Sequence, residues 1–64
     1  MKRFENCNKA QLAVLTAIAN GEQSSTHDAD IVEQLVEMNL LEPVDGGHTV
    51  PVLVWYQLKK FLET

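Results

Sequence analysis

Sixty-four residues, 45% of them apolar and 22% charged, make one small domain that buries only about 60% of the surface its unfolded chain exposes, which leaves little material for a multi-residue catalytic cleft. One cysteine, Cys7, excludes an internal disulfide framework and a cysteine-based zinc site, and no run approaches the roughly 18 apolar residues of a membrane span. The net charge of −4 conceals a division of charge. Between Lys9 and Lys59 there is no lysine or arginine, while Glu22, Asp28, Asp30, Glu33, Glu37, Glu42 and Asp45 are acidic.

The basic start Met1-Lys2-Arg3, the apolar stretch from Ala10 onward and the small-x-small Ala17-Ile18-Ala19 have features of a secretory leader. Glu5, Asn6, Asn8 and Gln11 dilute them, and the stretch reads better as an amphipathic helix, so the expected location is the cytoplasm. That first helix is predicted over 8–20. Asn8 caps its first turn, Gln11 stands three residues on in capping-box position, and Gly21 supplies the left-handed residue that closes the far end. Leu12, Leu15, Ile18 and Ala19 share one face, and Ala10, Ala13 and Ala17 form a second stripe of good helix formers.

Residues 22–26 read as a polar loop in which Ser25 and Asp28 resemble a loose capping box. The second helix is predicted over 27–39. Ile31, Val32, Leu35, Val36 and Met38 occupy one broad side, with Asp30, Glu33 and Glu37 opposite them, within about 60° of one another. These acids are spaced (i, i+3) and (i, i+4), so each like-charge pair costs a few tenths of a kcal/mol in an isolated helix. A short hairpin is predicted over 40–50, turned by Asp45-Gly46-Gly47. From Val50 onward two periodicities compete: a strand reading as far as Trp55, and a helix over 51–63. Pro51 favours the helix, in a first turn headed by Thr49, because in a strand it removes a ladder hydrogen bond. The core face is then Val50, Leu53, Val54, Leu58, Phe61 and Leu62, and Val52, Trp55 and Tyr56 project to the other side. The fold class expected is mainly α: a single small three-helix domain with a short hairpin between its second and third helices.

This order of elements resembles a reduced winged helix-turn-helix domain. The resemblance is carried by Ala17-Ile18-Ala19-Asn20-Gly21-Glu22, then Ile31-Val32-Glu33-Gln34-Leu35-Val36-Glu37-Met38, then Asn39-Leu40-Leu41-Glu42 entering a glycine-turned hairpin, and it spans roughly 12–56. Such families place the second helix of the pair in the DNA major groove, with arginine and lysine on the phosphates around it. Here that helix carries no cation and several carboxylates. It lacks the counterion release that dominates DNA affinity, so the resemblance implies architecture and carries over no functional residue.

Single residues with chemical potential each have a simpler role. His27-Asp28 is similar to the His-Asp pair of metal-dependent phosphohydrolases, but those need further ligands, and here it reads as a helix-start histidine beside capping acids. His48 reads as an exposed loop residue, Asp45-Gly46-Gly47 as a turn, and Cys7 as a small packed thiol. Ser24, Ser25 and Thr26 adjoin His27 and Asp28, yet a triad must converge from separate places in the chain. Catalytic residues, metal ligands and cofactors are therefore expected to be absent. The leading expectation is a non-enzymatic acidic interaction module. Its acidic face (Asp30, Glu33, Glu37) steers it to a basic partner surface, and its aromatic patch (Val52, Trp55, Tyr56) supplies affinity or self-association about a two-fold axis. In that form it resembles the small acidic DNA-mimic and anti-defence inhibitors of phages. The alternative is a winged-helix DNA-binding regulator whose Lys2, Arg3, Lys9, Lys59 and Lys60 gather on one face.

Overall fold

Asn8 starts the first helix with a complete capping box: its Oδ1 accepts from the Gln11 backbone N–H at 2.8 Å, and Gln11 Oε1 accepts from the Asn8 N–H at 3.0 Å. The computed structural model describes residues 3–63. Its elements are a 3-10 turn (Arg3–Asn6), α1 (Lys9–Ala19), a second 3-10 turn (Ser24–Thr26), α2 (Ala29–Glu37), β1 (Glu42–Val44), β2 (Gly47–Thr49) and α3 (Val52–Glu63). Three helices with a two-stranded antiparallel hairpin between the second and third are the architecture expected from the sequence pattern.

Both helix–loop junctions end in the same hydrogen-bond motif. After α1 the Gly21 N–H donates to Ile18 and the Glu22 N–H to Ala17, with Gly21 at φ 99°. After α2 the Asn39 N–H donates to Val36 and the Leu40 N–H to Leu35, with Asn39 at φ 63°. This is a Schellman ending, and at α2 its usual apolar clasp is formed by Leu35 and Leu40, both fully buried. The reversal aims Leu40 and Leu41 into the core before β1 begins.

Helix α2 starts at Ala29, and its cap is Asp28, whose Oδ1 accepts from the Asp30 N–H at 2.9 Å. Ser25 makes no capping bond. The segment before Asp28 is instead wound into the Ser24–Thr26 turn, held by Thr26 Oγ1 donating to the Gln23 carbonyl at 2.7 Å. In the hairpin Glu42 pairs with Thr49, Pro43 with His48 and Val44 with Gly47, and Gly46 takes the left-handed φ of 84° at the turn. Thr49 therefore belongs to β2 and does not head α3. The chain enters α3 through Pro51, whose carbonyl accepts from the Trp55 N–H at 2.8 Å, so a missing proline N–H costs nothing there.

The core joins Val14, Leu15 and Ile18 of α1, Val32 and Leu35 of α2, Leu40 and Leu41 after it, and Val54 and Leu58 of α3. Phe4 completes it at 2% exposure, its ring 5.4 Å from that of Phe61. Three expectations for α3 are corrected. Leu53, Leu62 and Phe61, assigned to its core face, are 66%, 53% and 37% exposed. Only Val54 and Leu58, one turn apart, are buried on that helix, because the rest of so short a chain offers α3 a single line of contact rather than a broad face.

Candidate functional site

Two surfaces stand out, on different helices. The first belongs to α2. Asp30, Glu33 and Glu37 are all exposed, as expected of that face, and among the described residues no lysine lies within ion-pair distance of a carboxylate. On a helix wheel their stripe adjoins a second one made by Ala29, Val32, Glu33 and Val36. That second stripe forms one wall of a cleft of about 490 Å³, closed on its other side by the Ser24–Thr26 turn, His27 and the start of β2. Glu33 belongs to both stripes and puts a carboxylate on the rim of an otherwise apolar wall.

Ser24 and His48 meet across this cleft. The Ser24 Oγ is 2.7 Å from His48 Nδ1, and Ser24 is 7% exposed. His48 is therefore a half-buried anchor between the inter-helix turn and the hairpin, not the exposed loop residue its sequence setting predicts. Nothing in the spacing of two residues 24 positions apart announces the pair. The serine is sealed by packing and belongs to no wider relay, so the bond reads as a strut holding the hairpin against the turn before α2. His27 Nε2 lies 3.2 Å from Glu22 Oε1 without hydrogen-bond alignment. Among the described residues no group of three or more His, Cys, Asp or Glu side chains is placed to hold a metal ion.

The second surface is α3. Val52, Trp55 and Tyr56 are exposed by 76%, 39% and 59%, and with Leu53 and Leu62 they spread apolar area round most of the helix. Trp55 and Tyr56 form one aromatic unit, edge to face with centroids 5.9 Å apart, and Lys59 Nζ lies 5.3 Å from the Trp55 ring centroid. Beneath Trp55 a small groove of about 150 Å³ runs between α1 and α3, lined by Thr16, Ala19, Leu58 and Leu62 among others. No residue of α3 lines the α2 cleft, and none of α2 lines this groove. The acidic and aromatic surfaces are thus separate.

The ring contact between Phe4 and Phe61 packs the N-terminal 3-10 turn against α3. Lys59 and Lys60 are exposed there, whereas Lys2 and the Arg3 side chain, also expected in a basic cluster, lie outside the described residues. Cys7 is half buried, and burial pushes its thiol pKa up from its ordinary value, which opposes a nucleophilic role. No described helix is long and apolar enough to cross a membrane. Comparison with family models, curated proteins and solved structures finds no match for this chain.

Proposed function

We propose that the protein is a non-enzymatic interaction module that regulates or inhibits a protein partner with a basic surface. The observation that carries this reading is the uncovered apolar face of α3. A soluble domain of this size has little reason to leave Val52, Leu53, Tyr56 and Leu62 more than half exposed unless another molecule covers them. Tryptophan and tyrosine at its centre are the side chains most enriched in binding hot spots.

The acidic face of α2 complements this patch in kind. Asp30, Glu33 and Glu37 present, along one helix stripe, carboxylates with no ion-pair partner among the described residues, where a nucleic-acid-binding protein expects phosphates, and would speed encounter with such a surface. The test is capture of partners from nuclease-treated lysate by the tagged chain. Retention of a nucleic-acid-binding protein, lost with Glu33→Lys/Glu37→Lys in a chain that keeps its helical circular dichroism, supports the reading. Unchanged retention removes the acidic face from it.

The Phe4–Phe61 contact favours one second reading, the winged-helix DNA-binding regulator, because it packs the N-terminal turn against the helix that carries Lys59 and Lys60. Against it, the helix in the recognition position carries carboxylates that phosphates repel. Duplex binding at low salt that falls steeply as salt is added would support it, and no binding at low salt would eliminate it.

A further inference from the structure

The two exposed surfaces of this chain complement each other. On α3, an aromatic unit of Trp55 and Tyr56 is flanked by Lys59 and followed by Lys60. On α2, a cleft walled by Ala29, Val32 and Val36 is edged by Glu33, with Asp30 and Glu37 beside it. The cleft volume of about 490 Å³ is in the range that encloses a compact organic group, and so has room for a large aromatic side chain. None of these charges is neutralised by an ion pair within the described residues. Because the surfaces share no lining residue, one molecule can offer both at once.

We infer that the protein self-associates head to tail, the α3 helix of one copy docking into the α2 cleft of the next. Trp55 and Tyr56 enter the apolar floor, and Lys59 and Lys60 meet Glu33 and Glu37 on the rim. A second copy is the occupant favoured by charge. The cleft's acidic rim selects a basic amphipathic helix, and α3 carries the adjacent pair Lys59 and Lys60, each one turn after an exposed aromatic, where α1 has Lys9 alone and α2 no cation. An interface of this kind is heterologous, so each added copy leaves one free face of each type, and growth continues until geometry closes a ring. This inference rests on the reading of α2 and α3 as docking surfaces and names their partner.

The test is sedimentation velocity of the purified chain over a wide concentration range, at low and at high salt. Expected at low salt is an average mass that passes beyond the dimer as concentration rises, returning to monomer when salt screens the rim pairs. Lys59→Glu/Lys60→Glu and Glu33→Lys/Glu37→Lys, each checked for retained helical circular dichroism, should each weaken association by more than about tenfold, because like charges then face each other. Mixing the two variants should restore it, since the reversed α3 of one meets the reversed α2 of the other. A closed dimer indifferent to Glu33→Lys/Glu37→Lys would mean that α3 pairs with α3, and would overturn the inference. So would a wild-type chain that stays monomeric throughout. If that monomer still captures a lysate partner through Trp55, the interaction-module reading survives alone; if it captures none, both fall.

Discussion

Ser24 Oγ and His48 Nδ1 lie 2.7 Å apart, joining the turn before α2 to the second strand of the hairpin. The hairpin is only three residues a side, and two strands of that length do not hold themselves together in water. The side-chain bond fixes the hairpin to the helical body and so sets the width of the α2 cleft.

Ser24→Ala is therefore expected to cost about 1 kcal/mol, the net worth of one part-buried hydrogen bond plus the unsatisfied ring nitrogen it leaves. His48→Ala should cost a similar amount, and the double variant little more than either. Urea unfolding of the four proteins measures the coupling. Strict additivity of the two losses would show that the residues do not support each other.

Asn39 is the one described residue other than glycine with a positive φ. A β-branched side chain resists that conformation, so Asn39→Val should destabilise by about 1–2 kcal/mol. Asn39→Gly should preserve stability or raise it, because glycine adopts the left-handed region without strain. Thermal unfolding separates the two, and equal melting temperatures would contradict the helix ending described.

Trp55 and Leu58 are one turn apart on α3 with opposite roles. Leu58, 2% exposed, should lose about 2–5 kcal/mol on truncation to alanine. Trp55→Ala, at a position 39% exposed, should stay within about 1 kcal/mol of the wild type while abolishing self-association. If Trp55→Ala unfolds the domain, the ring belongs to the core and the docking surface on α3 loses its centre.

Burial raises the Cys7 thiol pKa, so the folded state holds its proton to higher pH than the unfolded chain does. The stability this contributes is intact below the ordinary thiol range of about 8.5 and declines as pH rises through it, since the unfolded state ionises first. The expected observation is slow alkylation at mildly alkaline pH that accelerates on denaturation. A folded-state rate equal to that of an unfolded peptide would show an exposed thiolate.

Short-range chemistry made much of this protein legible without coordinates. Asn8 and Gln11 announce the start of α1 and Gly21 its end; Asp45-Gly46 announces the hairpin; Pro51 decides helix over strand for the last segment. Each signal acts over four residues or fewer through backbone hydrogen bonds or allowed φ, and so survives in any tertiary context. The segregation of the acids onto one stripe of α2 is equally a matter of helical period.

Tertiary structure alone decided the rest. α3 is apolar almost all round, so its period cannot say which line faces inward; contact with α1 and the core chose Val54 and Leu58 and left Leu53 and Leu62 outside. Phe4 lies in a segment with no periodic pattern, and only the return of α3 past the N-terminal turn gives its ring Phe61 to pack on. Ser24 and His48, and with them the cleft on α2, likewise exist only because chain closure brings a turn and a strand to one place. Burial and long-range contact are properties of the assembled chain, and no local rule encodes them.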